Sequence, residues 1–252
     1  MTTLLDMLIA ARRSGDLIAE VPPELKPAAL DDAYAIADRL AQAVSGAVAG
    51  WKIGASIPRA WERLGLNEPF GGRIFAATVY ESPASLPDVP GTLTTGAEFA
   101  MRIARDLRAD ETFTSESIRA EVDAVYPVLE LNRPNYAAPM EVGGLCLIAD
   151  NGVNVGLVRG APIHLWLQVE LSQVSVAFRV NGEGKTSGTS ADIGFDPFAA
   201  LAWLVNDRAR RSDPLKQGQI VSTGDLILNV EAKRGDHVAA DFGTFGIVEL
   251  RL

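Results

Sequence analysis

The sequence predicts an α+β fold in one domain, with a helical layer over residues 1–48 and a β-rich core with flanking helices over 49–252. Three observations predict it. Two amphipathic helical patterns fill the first 48 residues. After Gly50 the chain changes to short runs of small and β-branched residues punctuated by glycine. One long helical pattern, DPFAALAWLVNDRAR, interrupts the later half.

The first helix is expected over residues 3–14. Leu4, Leu5, Leu8 and Ile9 share a face, Arg12 and Arg13 lie near the end, and Gly15 is the stop. VPPELKP breaks the pattern. A second helix is expected over 30–48, with Tyr34, Ile36, Ala37, Leu40 and Val44 on its apolar side. GWKIGAS, GRIFAATVY and GTLTTGAEFAMRIARDL read as strands and tight turns. Residues 113–124 read as a short helix leading into YPVLELN. LWLQVELSQVSVAFRVNGE holds two alternating runs, and Asn181-Gly182 marks a hairpin turn. The late helix opens on Asp196 as N-cap and Pro197 at the first helical position. The tail, from DLILNVEAKRG onward, is strand and turn again.

Net charge is −9, which argues against nucleic acid or an anionic membrane surface as the main partner. No apolar run approaches the roughly 20 residues of a membrane span. Cys146 is the single cysteine, so an intrachain disulfide is impossible. With an amphipathic MTTLLDMLIAARRSG and no long apolar run there, a reducing cytoplasm is expected. Two histidines, His164 and His237, leave little for a zinc site or a serine triad. A metal site would be built mainly of carboxylates, which favours magnesium or manganese.

Three residues carry the chemistry best. Lys52 stands between Trp51 and Ile53, where a buried ammonium could move a proton or hold a carboxylate; the other reading is a solvated lysine on an alternating strand. Glu98 and Glu130 sit in the apolar runs GAEFAM and PVLELN. Buried carboxylates are costly unless paired, hydrogen-bonded or bound to a cation, so the two either form a cation site or face water from edge strands. Asp150-Asn151-Gly152 is first a turn signal, and Asn151 is a substrate-contact candidate beyond that. Ser56, Ser187 and Thr223 could donate to a substrate carboxylate, with SGTSADIG and VSTGD otherwise read as turns lacking phosphate-loop spacing. Cys146 reads as a buried inert thiol.

Taken in order, LDDAYAIADRL, GWKIGAS, EPFGGRIFA, GAEFAMRIARDL, YPVLEL, IADNGVNVGLVRG, DPFAALAWLVN, LKQGQIVSTGD and ADFGTFGIVELRL resemble the 2-keto-4-pentenoate hydratase and 4-oxalocrotonate decarboxylase group of the fumarylacetoacetate hydrolase superfamily. The resemblance runs nearly end to end. It implies a mixed β-sheet roll with flanking helices, a homo-oligomer, and no organic cofactor. It further implies a magnesium or manganese ion on three carboxylates, two of them in a Glu-x-Glu pair, that chelates a small 2-oxo acid. Lys52 matches the family's lysine, Glu98 the second glutamate of the pair, and Glu130 the third ligand.

Gly96 stands where the first glutamate of the pair would be. Pro69 is followed by Phe70 where the family often has an acid, and LELNRPNY replaces an acid and its basic partner. The resemblance thus implies a lyase, a hydratase of 2-oxo or 2-hydroxydienoate acids in aromatic-compound catabolism, with an incomplete metal site of Glu98 and Glu130. Decarboxylation, carbon–carbon hydrolysis, isomerisation, or a non-catalytic partner-subunit role are the other readings. Weak or absent divalent-ion binding is expected, strengthened by Gly96→Glu. Asp88 and Glu81 are the acids considered for replacing the missing ligand.

Overall fold

A computed structural model describes residues 2–44, 46–227 and 229–252. Ser45 and Leu228, which fall in segments predicted as helix and strand, lie outside the described residues. In chain order the elements are α1 (Leu4–Ser14), α2 (Leu30–Val44), β1 (Val48–Gly54), α3 (Pro58–Leu64), β2 (Phe70–Phe75), β3 (Val79–Glu81), β4 (Ala84–Ser85), β5 (Thr92–Ile103) and β6 (Val122–Asn132). They continue with α4 (Gly144–Ala149), β7 (Asn154–Arg159), β8 (Val176–Val180), β9 (Glu183–Gly188), α5 (Pro197–Arg210), β10 (Ile220–Ser222), β11 (Val230–Lys233), β12 (His237–Asp241) and β13 (Ile247–Arg251).

An eight-stranded mixed sheet runs β2-β1-β10-β5-β6-β7-β3, with β11 also pairing β5. A five-stranded sheet runs β4-β13-β12-β8-β9. The α+β expectation is met. Alternation along β5 sends Ala97, Phe99, Met101 and Ile103 to one face, where they join Trp51, Val125, Leu129, the second sheet's Val176, Phe178, Val238 and Leu250, and Leu201 and Leu204 of α5 in the main apolar cluster. The opposite face carries a smaller cluster of Ile74, Ala100, Tyr126, Val128, Leu157 and Ile220.

α1 opens on a capping box between Thr3 and Asp6 and closes at Gly15 in the left-handed region. Its apolar face packs with Leu40, Cys146 and Leu147. Arg12 ties it to the core: its guanidinium donates to Asp150 Oδ1 at 3.0 Å and to the Asp150 carbonyl at 2.9 Å. α5 starts as predicted, with Asp196 accepting from the Phe198 N–H. Asn181 and Gly182 both take positive φ in the β8–β9 turn, as the hairpin signal requires.

Two helices were not read from the sequence, α3 in PRAWERL and α4 in GLCLIA. Their seven and six residues are too short to show helical periodicity. The stretch predicted as a short helix over 113–124 holds only a 3₁₀ segment, Ser117–Glu121, before β6. The first of the two alternating runs, from Leu165, folds as two 3₁₀ turns at Trp166–Gln168 and Leu171–Gln173, entered through Leu165 at φ 56°. No helix among the described residues is long and apolar enough to cross a membrane.

Candidate active site

Register gathers the site. Lys52 of β1 pairs with Ser222 of β10, and Ser222 with Ala100 of β5. Two residues on, Glu98 pairs with Val128, and Gly96 pairs with Glu130 of β6. Residues paired across strands, or two apart along one, share a face. Lys52, Ser222, Glu98, Gly96 and Glu130 therefore meet on the face opposite the main core.

β10 and β11 pair with the same side of β5, at Ala100–Arg102 and Thr92–Thr95 respectively. Between them, eight chain steps from Ser222 to Val230 stand against five from Ala100 to Thr95. The surplus bulges, while the Thr223 and Leu226 N–H groups still donate to the Phe99 and Ala97 carbonyls. Asp225 is carried by this bulge onto the site face. One carboxylate oxygen each from Glu98, Glu130 and Asp225 lie within 4.8 Å of one another. The two-carboxylate site expected from Gly96 is corrected: a third acid arrives from another segment. Neither Asp88 nor Glu81 supplies it, since Asp88 is exposed and Glu81 pairs with Arg159 at the surface.

Glu98 and Glu130 are each oriented through one oxygen and leave the other over. Glu98 is 0 % exposed; its Oε2 accepts from the Ser222 hydroxyl and from the Gly224 N–H at 3.0 Å. Glu130 is 2 % exposed; its Oε2 accepts from Asn132 Nδ2 at 2.6 Å, and Lys52 Nζ stands 3.5 Å from its Oε1. Among the described residues, Glu98 Oε1 and Asp225 Oδ1 are buried with no hydrogen-bond donor, and buried Glu130 Oε1 has only the Lys52 ammonium, 3.5 Å away and outside hydrogen-bond geometry. Three clustered carboxylates, each with a buried oxygen left without a hydrogen bond, form one group of hard ligands that fits a divalent cation such as magnesium.

The electrostatics agree. Burial, then the charges of Glu130 and Asp225, push the Glu98 carboxyl well above the usual range. Burial and the Glu130 charge push Asp225 up to about 7, against a downward pull from Lys52. An unfolded aspartate ionises near pH 4. The stabilising contribution of protonated Asp225 is therefore complete below about pH 4 and is lost as pH rises through about 7, and Glu98 acts in the same direction. Ion-free protein should lose stability over that range. Since protons compete with a cation for these oxygens, manganese should raise the melting temperature more at pH 8 than at pH 5. Equal shifts at the two pH values would count against cation binding here.

Lys52 is 4 % exposed and lies 5.4 Å from the centre of the Phe70 ring, so the solvated reading does not hold. Ser56 is half-buried beside Gly224. Thr223 and Asn151 are committed elsewhere. The Thr223 hydroxyl donates to the Phe99 carbonyl at 3.0 Å. The Asn151 amide clasps the Arg73 backbone in both directions, at 2.8 and 2.9 Å. Both side chains hold the backbone around the site. The departures noted in LELNRPNY have uses too: Asn132 orients Glu130, and Arg133 donates to the Gly15 carbonyl. Cys146 is buried, with its thiol pushed up by burial. Of the histidines, His164 is exposed and His237 pairs with Glu249 at 3.0 Å. A hollow of about 540 Å³ opens further along the same sheet face, at Arg102, Tyr126 and Trp166; the three acids do not line it.

Sequence reasoning passed over Asp225 because VSTGD reads as turn chemistry alone. Its one signal was an acid directly after a Thr-Gly turn in a segment already matched to the family.

No protein-family model matches the chain. It is 28 % identical over 233 residues to a 2-keto-4-pentenoate hydratase of Paraburkholderia xenovorans (strain LB400), covering 91 % of this chain and 86 % of that one. It is 25 % identical to a 2-oxo-hept-4-ene-1,7-dioate hydratase of Escherichia coli, covering 99 % and 97 %. Among solved structures it superposes on 4-oxalocrotonate decarboxylase from Pseudomonas putida G7, complexed with magnesium and adipate, with a TM-score of 0.89 at 20 % identity, covering 98 % and 95 %. Sequence, fold and carboxylate geometry point the same way: the chain is similar along most of its length to 2-keto-4-pentenoate hydratases, and it has the fold of 4-oxalocrotonate decarboxylase.

Proposed function

We propose that the protein is a hydratase, a lyase that adds water across a conjugated double bond of a small 2-oxo or 2-hydroxydienoate acid in aromatic-compound catabolism. The observation that carries this is the cluster of three carboxylates, each with a buried oxygen left without a hydrogen bond, beside a buried lysine. Glu98, Glu130 and Asp225 would hold a magnesium or manganese ion. Such an ion supplies positive charge that polarises the oxygens of a 2-oxo acid. Lys52 Nζ holds or moves a proton at the edge of the same group, and its burial against Phe70 limits competing bulk water. Ser222 and the Gly224 N–H fix Glu98, and Asn132 fixes Glu130. Ser56, beside Gly224, is the substrate-contact candidate whose side chain is not engaged in bracing the backbone, with Asn151 and Thr223 as the other two. Loss of carbon dioxide from a vinylogous keto acid is the second reading, favoured by a 26 % identical 4-oxalocrotonate decarboxylase of Pseudomonas putida that covers 52 % of this chain. The same reading makes the protein a cytoplasmic homo-oligomer.

The test follows the loss of dienoate absorbance with and without magnesium. The expected result is magnesium-dependent turnover that Glu98→Ala removes. Absence of turnover on every short 2-oxo dienoate would overturn the hydratase reading. Turnover unaffected by Glu98→Ala would overturn the site.

A further inference from the structure

We propose that Asp225 has taken over the ligand position that residue 96 cannot supply, so that positions 96 and 225 are mutually exclusive carboxylate donors to one ion. The proposal rests on the ion-binding part of the reading above and not on its reaction. Gly96 pairs with Glu130 in register, so a side chain at 96 would leave the sheet on the site face, next to both Glu98 and Glu130. That volume is filled. A Cβ at position 96 would overlap Asp225 Oδ1, and would stand 3.0 Å from Asp225 Cγ and 2.9 Å from Asn229 Oδ1. Asp225 Oδ1 is also the oxygen left without a donor. One volume is shared by two chain positions, and only one of them can place a carboxylate in it. Glycine at 96 is therefore the steric condition for Asp225 to reach the group, and Gly96→Glu alone should not strengthen binding as the sequence had led us to expect.

The test is titration of manganese into four full-length proteins, with melting temperatures in chelator as a control for folding. Wild type should bind. Asp225→Asn should stay folded, because it removes a charge from a mutually repelling trio, and should lose at least about tenfold in affinity. Gly96→Glu should bind more weakly than wild type or melt lower in chelator. The double variant Gly96→Glu/Asp225→Gly empties the volume at one position and refills it from the other, and should recover affinity to within about tenfold of wild type. Wild-type affinity in Asp225→Asn would overturn the proposal. So would tighter binding in Gly96→Glu alone, no binding by wild type, or a folded double variant that does not bind. Turnover is not read, so a failed hydratase reading would appear in the absorbance assay and leave this result standing.

Discussion

Replacing Lys52 by Met lowers kcat by about 10²–10⁴-fold, the usual loss when a positioned proton-transfer group is removed. Methionine keeps most of the side chain's volume, so the change isolates the ammonium. Lys52 is suited to this role by what surrounds it. It is 4 % exposed, its Nζ is 3.5 Å from Glu130 Oε1, and the Asn151–Val153 turn closes over its stem, with an added Cβ at Gly152 coming within 2.9 Å of Cε. Manganese affinity in the variant should be kept or raised, because a positive charge beside the carboxylates has gone. Steady-state kinetics and a manganese titration on the same preparation check both statements. A kcat within threefold of wild type would remove Lys52 from the reaction.

Removing Arg12 strikes the fold instead of the chemistry. Asp150 is 0 % exposed and accepts from Arg12 and from both the backbone and side-chain N–H groups of Asn135, at 2.9 and 2.7 Å. Burial outweighs these partners and holds its carboxyl above the usual range even with Arg12 present. Arg12→Ala leaves that carboxylate inside with Asn135 alone, and should cost about 3–5 kcal/mol. Urea unfolding followed at pH 7 measures it. Asp150→Asn in the Arg12→Ala background should recover part of the loss, since an amide needs no counter-charge. A loss below about 1 kcal/mol would show that the pair behaves as an exposed one.

Arg12 and Lys52 also mark what could be read in advance. Helices α1, α2 and α5 were legible because eleven to fifteen residues give a face time to repeat, and because Gly15, Asp196 and Pro197 punctuate them. Lys52, Glu98 and Glu130 were legible as charges in apolar runs, where burial forces a partner. Asp225 was not, because its position depends on a mismatch of pairing between three strands, 100 or more residues apart in part of their contacts, and local sequence carries no trace of that count. Asn151 and Thr223 were ambiguous for the opposite reason. Their residue types suit ligand contact and backbone bracing equally, and the bracing alone is visible here, in the hydrogen bonds to Arg73 and Phe99.

The bulge that carries Asp225 is anchored differently from the strands that carry the other two acids. Glu98 and Glu130 ride on strands of twelve and eleven residues, paired along most of their length. The segment after β10 is tied to β5 by the Thr223 and Leu226 amides and the Thr223 hydroxyl, and to Glu98 by the Gly224 amide. Its Leu226 and Ile227 are buried in the main apolar cluster. Two donors are thus fixed by strand pairing and the third by the burial of its neighbours, so a core substitution at Leu226 reaches the carboxylate group without touching either long strand.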